Sequence, residues 1–175
     1  AAIERAARGT TNEDSITVFR SDEFSRQDVL GYFADLGNSM QPDDRLAVFL
    51  IGHGSYDDHE YKFNIAGPDL TGSDLSDMLD NIPGASQLLV NVSSSSGAIS
   101  DQLKREDRIL VLATRSGVER HATRFGNYFA AALSDSGADI DKNNIVTAEE
   151  AFRFAEREVA DYFERNGQLA TEHPR

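Results

Sequence analysis

Short apolar runs alternate along the chain with longer segments in which apolar residues recur at helical spacing. Four of the runs have the length of a β-strand, at residues 15–19, 45–52, 87–92 and 108–114. The last three lack polar alternation, which is typical of strands that are buried on both faces. We therefore predict that these three runs are the central strands of a sheet.

Four other segments have the apolar spacing of amphipathic helices. They cover residues 25–40, 72–82, 122–134 and 148–167. Ser25 and Asp28 have the spacing of a capping box at the start of the first segment, and Gly167 is a typical stop after the last one. The alternation of strand and helix predicts one α/β domain over residues 1–175, with a mostly parallel central sheet and helices on both faces.

The composition narrows the possible partners. The 175 residues include 30 Asp and Glu against 17 Lys and Arg, for a formal net charge of −13. This excess repels polyphosphate backbones, so we expect no nucleic acid partner, and cations are better candidates. No run approaches the roughly 18 consecutive apolar residues of a membrane span, so no membrane partner is expected.

The ends and the cysteine count leave the cellular context open. There is no cysteine, which excludes disulfides and thiolate metal sites but indicates no compartment. The chain starts with neither an initiator Met nor a signal-peptide pattern, so we expect it to be a piece of a longer protein. The sequence indicates neither the localisation nor the oligomeric state.

Residues with catalytic chemistry directly follow two of the predicted central strands. One strand leads into His53 and Gly54, and the next leads into four serines at 93–96 followed by Gly97. Because the carboxyl ends of parallel strands lie at one edge of a sheet, an imidazole and a group of hydroxyls are expected to share a crevice. The glycines allow a ligand to approach the backbone closely. The pattern indicates a base and a nucleophile.

This order of motifs resembles the caspase-like cysteine peptidases, and in particular their legumain-like branch. That family has His-Gly after one apolar strand and, about forty residues later, Cys-x-Ser-Gly after the next, where this chain has VFLIGHGS and LLVNVSSSSGA. The resemblance covers residues 45–133, about half of the chain. It implies a caspase-like three-layer sandwich, of which this chain is expected to lack the first strand.

The resemblance also implies roles for individual residues. Aligning residues 96–97 with the Ser-Gly of the family puts Ser94 at the position of the nucleophilic cysteine, and a slip of one residue would put Ser93 there. His53 would transfer the proton, while backbone amides near Gly54 and the nucleophile would stabilise an oxyanion. The pocket for the residue before the scissile bond would be lined by Thr114, Arg115 and Ser116.

A serine at the nucleophile position changes the expected activity. A thiol gains thiolate character beside a histidine, whereas a serine hydroxyl needs a strong positioned base and usually an orienting carboxylate. Three interpretations follow: a pseudopeptidase that binds a peptide or protein, a cysteine endopeptidase whose nucleophile has been replaced by serine, and a serine-dependent hydrolase. Taken alone, each motif also fits a simple turn, or serines that cap the next helix.

A second candidate site precedes the last predicted helix. The segment DIDKNNIVTAEE, at 139–150, matches positions 1, 3, 5, 7, 9 and 12 of an EF-hand-like calcium loop. The ligands would be Asp139, Asp141, Asn143, the Ile145 carbonyl, Thr147 and Glu150. Asn144 replaces the usual glycine at position 6, and asparagine tolerates the left-handed conformation that this position requires. We predict a structural calcium ion; the alternative is an acidic turn before a helix capped at Thr147.

Overall fold

The structure is a computed structural model that describes residues 16–20, 23–82 and 86–175. The chain divides into two compact units. We call Phe19–Thr123 with Pro174–Arg175 the sheet unit, and Arg124–His173 with residues 16–18 the helical unit. Each is described by itself, and the single domain expected from the sequence stays a prediction.

The sheet unit contains helices, short strands and longer strands. Its helices are α1 (Arg26–Ser39), α2 (Gly72–Asp80) and the short α3 (Ser100–Leu103), which a 3₁₀ turn (Ser96–Ile99) precedes. Its strands are β1 (Arg45–Leu50), β2 (Gly54–Tyr56), β3 (Tyr61–Phe63), β4 (Leu70–Thr71), β5 (Ser86–Asn91) and β6 (Arg108–Leu112). The capping box predicted for α1 is confirmed, because Asp28 accepts the Ser25 N–H at 2.7 Å and donates its own N–H to the Ser25 hydroxyl at 3.3 Å.

The three predicted central strands form a parallel sheet in the order β1-β5-β6. Leu89 of β5 is aligned with Val48 on one side and with Leu110 on the other. Both faces of β5 are buried, since Leu89 packs into a core shared with α1 and α2, and Val90, which points to the opposite face, has no exposed surface. The continuous apolar pattern of this strand is thus confirmed as the mark of two-sided burial.

Two parts of the sheet unit differ from the prediction. Strands β2, β3 and β4 form a second, antiparallel sheet, and strands of two or three residues are too short to leave a periodic signal. The predicted strand at 15–19 is wrong for its described residues, which form no strand; Ser15 lies outside them. Phe19 instead packs its ring edge-on against Phe24 and Tyr32, at 5.3 Å between centroids in both pairs.

The helical unit contains α4 (Phe125–Ala132) and α5 (Ala148–Arg165). A complete capping box between Thr147 and Glu150 starts α5. Gly167 follows this helix with a left-handed φ of 59°, which confirms the predicted helix stop. Within the described ranges, no helix is both long enough and apolar enough to cross a membrane.

Candidate functional site

The histidine segment and the serine run meet at the carboxyl ends of β1 and β5. Gly54 forms the contact, because a β-carbon there would overlap both the Ser93 hydroxyl oxygen and the Ser94 carbonyl oxygen. Only glycine fits at this point without moving the backbone of the serine run. The two segments therefore share one edge of the sheet, as the sequence predicts.

The first two serines of the run differ in the hydrogen bonds of their hydroxyls. Ser93 is buried, and its hydroxyl lies 2.7 Å from the Tyr61 hydroxyl and 2.8 Å from the Asn91 side-chain oxygen. Ser94 is 7% exposed, and its hydroxyl has no hydrogen-bond partner in the part of the chain that the structure describes. Both serines are buried, but only the Ser93 hydroxyl is held by neighbouring side chains.

His53 is anchored through its backbone and open to solvent at its side chain. Its carbonyl accepts the Asn64 N–H at 2.9 Å, and the residue is exposed. Its ring makes no hydrogen bond to Ser94 or to any other described residue. No base therefore contacts the Ser94 hydroxyl in this conformation, and an unactivated serine hydroxyl is a weak nucleophile.

Ser95 is held in an unfavourable conformation next to this hydroxyl. Its backbone is left-handed, with φ 58° and ψ 9°, and it makes no side-chain cap of the 3₁₀ turn that follows. Its hydroxyl is buried without a hydrogen-bond partner among the described residues. The serine run is thus not explained as a helix cap. Strain and an unsatisfied polar group of this kind concentrate at functional sites.

We expect Ser95→Gly to raise the free energy of unfolding by about 1–2 kcal/mol, because glycine adopts positive φ freely and carries no hydroxyl to bury. Ser95→Ala removes the hydroxyl but keeps the strained backbone, so it should raise the free energy of unfolding by less than Ser95→Gly does. Urea denaturation of both variants measures these two contributions. A loss of stability in both would show that the hydroxyl makes a stabilising bond.

Thr114 joins the serine run to the loop after β6. Its hydroxyl accepts the Gly97 N–H at 2.9 Å and donates to the Ser116 carbonyl at 3.3 Å, and its own N–H donates to the Ser96 hydroxyl at 3.1 Å. Thr114 has no exposed surface, so its predicted place in a binding surface is corrected to a supporting position behind it. Arg115 is exposed and Ser116 is partly exposed, so both can face a ligand.

The loop after β6 carries two exposed arginines, each paired with a carboxylate. The Arg115 side chain is 67% exposed, with its guanidinium 3.9 Å from the Glu119 carboxylate. Arg120 reaches across to Asp58, in the turn between β2 and β3, at 2.9 Å. Exposed pairs of this kind contribute little stability. An exposed guanidinium can instead bind the carbonyl or carboxylate groups of a peptide.

The acidic loop of the helical unit gathers three carboxylates. Oxygens of Asp139, Asp141 and Glu150 all lie within 4.8 Å of one another. Two oxygens bound to one calcium ion are separated by at most about 5 Å, twice the calcium–oxygen distance, so this group fits the ion. Asn144 has a φ of 65°, which confirms the left-handed turn predicted at position 6.

Glu150 also holds the loop through hydrogen bonds. Its carboxylate accepts N–H groups from Thr147 and Ile140, both at 2.9 Å. The hydrogen bonds from Thr147, followed by that from Ile140, lower the pKa of Glu150 to about 2, against the opposing effect of burial. The charged carboxylate therefore stabilises the loop fully above its ordinary pKa of 4.5, and this contribution is lost as the pH falls toward 2.

The three other predicted ligands are the Asn143 amide oxygen, the Ile145 carbonyl and the Thr147 hydroxyl. The Asn143 side-chain oxygen accepts the Ile145 N–H at 2.7 Å. The Thr147 hydroxyl donates to Glu150 at 2.8 Å. Ligation from Thr147, at position 9, would therefore pass through a water molecule, as is common at this position.

Comparison with known proteins supports the fold alone. No protein-family model and no curated protein matches the chain. Among solved structures, it is similar to a crystal structure of protein GSU0716 from Geobacter sulfurreducens, with a TM-score of 0.63 and 10% sequence identity. The match covers 92% of this chain and 75% of that one. The chain therefore has a mixed α/β fold with a parallel sheet, and this similarity assigns no activity.

Proposed function

We propose that the chain has the caspase-like three-layer fold of the legumain-like branch, and that its crevice at His53 and Ser94 binds an extended peptide or protein segment without cleaving it. The observation that carries the proposal is the contact of Gly54 with residues 93–94, which brings the histidine segment and the serine run to one edge. The exposed Arg115 supplies a polar contact for the bound segment.

The absence of turnover follows from the environment of the hydroxyl. Serine attack requires a base that removes the hydroxyl proton and a group that orients this base. Neither His53 nor Ser94 has a side-chain hydrogen-bond partner in the described ranges. A pseudopeptidase is therefore the interpretation that the geometry supports best.

The main alternative is a cysteine endopeptidase whose nucleophile has been replaced by serine. In that case a thiol at position 94 would attack the peptide carbonyl, His53 would transfer the proton to the leaving amine, and amides of Gly54 and Ser94 would bind the oxyanion. The Ser94 N–H has no protein acceptor in the described ranges, so it is available for this role. A serine-dependent hydrolase is less well supported, because it would need an activated Ser94.

Peptide cleavage and covalent labelling separate these functions. We expect no cleavage of a mixed fluorogenic peptide library by the unaltered chain. A peptidyl chloromethyl ketone should label Ser94→Cys and not the matched variant Ser93→Cys, because the side chain at position 93 is enclosed by Tyr61 and Asn91. Peptide cleavage by Ser94→Cys would favour the endopeptidase alternative. Cleavage by the unaltered chain that His53→Ala abolishes, or no labelling of Ser94→Cys, would overturn the proposal.

We also propose that the loop at 139–150 binds a structural calcium ion. The carboxylates of Asp139, Asp141 and Glu150 would hold the ion, which supplies a charge that neutralises them and ties the loop to the start of α5. The distances among these oxygens and the left-handed Asn144 support the proposal.

Calcium should raise the melting temperature of the chain. At a calcium concentration one hundred times the Kd, the expected stabilisation is about 2.7 kcal/mol. Glu150→Gln should abolish the shift, because glutamine preserves the capping box but removes a charged ligand. Glu149→Gln is the matched control, since Glu149 is exposed and pairs with Arg153 instead. Equal shifts in both variants, or with magnesium at the same ionic strength, would contradict a specific calcium site.

A further inference from the structure

Three buried side chains form a closed ring of hydrogen bonds beneath Ser94. The Asn91 amide nitrogen lies 2.9 Å from the Tyr61 hydroxyl, the Tyr61 and Ser93 hydroxyls are 2.7 Å apart, and the Ser93 hydroxyl lies 2.8 Å from the Asn91 amide oxygen. All three residues are almost completely removed from solvent, with exposures of 2% for Tyr61, 0% for Asn91 and 1% for Ser93. The ring is complete without any external group.

The available protons fix the direction of each bond. The Asn91 amide oxygen faces Ser93, because it also accepts the Ser93 N–H at 3.1 Å, and the amide nitrogen therefore donates to Tyr61. Ser93 gives its single hydroxyl proton to Asn91, since its other acceptor, the Ser94 carbonyl, is farther away at 3.2 Å. Tyr61 must then donate to Ser93. Each side chain donates once within the ring and accepts once, so the bonds polarise one another.

Tyr61 keeps its proton throughout the ordinary pH range. Burial raises the pKa of Tyr61 to about 12, although the hydrogen bonds with Ser93 and Asn91 act in the opposite direction. The donor that closes the ring is therefore present at all pH values at which the protein would be studied. The ring is a constant part of the structure and not a titrating group.

The ring joins the two halves of the candidate site. Tyr61 lies in β3, which is paired with the strand β2 that starts at Gly54. Asn91 ends β5, and the serine run follows it. A β-carbon on Gly54 would lie 2.9 Å from the Tyr61 hydroxyl oxygen and would overlap Ser93, so the histidine segment packs directly on the ring. We therefore expect a change in the ring to alter the separation of the two segments.

We propose that the ring of Tyr61, Asn91 and Ser93 positions Ser94 relative to His53, and that Tyr61 is the positioning residue that links the two segments. This inference rests on the proposed function, since only a site that uses position 94 together with His53 depends on that separation. Tyr61 does not contact the ligand in this account, because it is buried behind the serine run.

The test uses Ser94→Cys as a background, in which the introduced thiol is the only one in the chain. The rate of its alkylation by iodoacetamide is measured against pH, with and without His53→Ala. A nearby histidine should make the thiol react at lower pH. Tyr61→Phe keeps the aromatic ring but removes the hydroxyl, so it should move the profile toward that of His53→Ala. Below the midpoint of the pH profile, the alkylation rate should fall roughly tenfold. This corresponds to a rise of one unit in the pKa of the thiol.

Two further variants separate positioning from loss of stability. Ser93→Ala breaks the same ring of hydrogen bonds and should change the pH profile as Tyr61→Phe does. It therefore provides the test if Tyr61→Phe does not fold. Gln87→Met removes a buried polar group at the other end of β5 and should leave the profile unchanged. An effect of Gln87→Met equal to that of Tyr61→Phe would overturn the inference.

The outcomes also distinguish this inference from the proposed function. If Ser94→Cys and its combination with His53→Ala react alike at every pH, the proposed site itself fails. If these two differ, but Tyr61→Phe and Ser93→Ala leave the profile unchanged, the ring is only structural and the positioning role is refuted.

Discussion

Replacing Gly97 by alanine should destabilise the sheet unit by about 3 kcal/mol, the upper part of the usual range for overpacking. A β-carbon at this position would lie 2.5 Å from the Arg115 carbonyl oxygen and would overlap other backbone atoms of Arg115 and Ser116. A flexible side chain could move aside, but this backbone is held by hydrogen bonds from Thr114 to both neighbouring segments. The serine run and the loop after β6 would have to separate.

Gly31→Ala is the matched control for this change. Gly31 lies inside α1, and nothing outside the helix is within 4 Å of where its β-carbon would be. Alanine should therefore stabilise the helix by about 0.5–1 kcal/mol. Urea denaturation of the two variants should give changes of opposite sign. Equal stability of Gly97→Ala and the unaltered chain would show that the loop does not pack against Gly97.

A loss of about 3 kcal/mol is also expected for Arg108→Met, which breaks a buried charged network. The Arg108 side chain is 2% exposed and donates to Gln87, the Leu103 carbonyl and Asp80, each at 2.8 Å. Methionine fills a similar length but donates nothing, so the Gln87 side-chain oxygen and the Leu103 carbonyl would lose these bonds. Thermal unfolding followed by circular dichroism measures the loss.

Arg105→Met is the comparison for this change. It removes a guanidinium that pairs with the same Asp80 carboxylate but lies at a more exposed position. Arg105 contacts Asp80 at 2.6 Å, but its side chain is 46% exposed, so its loss should cost less than about 1 kcal/mol. Burial by itself would raise the pKa of Asp80, but hydrogen bonds from Arg108 and Arg105 lower it overall. The stability from these pairs is therefore complete above pH 3.8 and is lost below it. Similar losses in both variants would contradict a special role for burial.

The main elements of the sheet unit could be predicted because their signals are local. The apolar runs of β1, β5 and β6 have the length of strands, and their ends differ from the prediction by at most two residues. Burial on both faces is confirmed for β5, whereas β1 and β6 each have exposed positions. The cap of α1 also depends only on neighbouring residues. The meeting of His53 and the serine run followed from strand direction alone, because parallel strands present their carboxyl ends to one edge.

The contacts that support the site could not be predicted, because they join residues far apart in the chain. Tyr61 carries no motif, and Asn91 was visible only as one polar residue in an apolar strand. The family resemblance implies a ligand-facing Thr114, and the position of a residue in the sequence does not show which way its side chain points. In the structure its hydroxyl is fully used by Gly97 and Ser116. These tertiary hydrogen bonds leave no periodic trace in the sequence.

The central claim is that His53 and Ser94 lie beside each other at one edge of the sheet, and cross-linking tests it directly. The chain has no cysteine, so a short bifunctional thiol reagent joins only introduced residues. We predict rapid intramolecular cross-linking when His53→Cys is combined with Ser94→Cys. We predict none when it is combined with Ser86→Cys, since Ser86 is at the opposite end of β5, roughly 20 Å away at the usual rise per residue. No cross-link in the first folded variant, or equal cross-linking in both, would contradict the account.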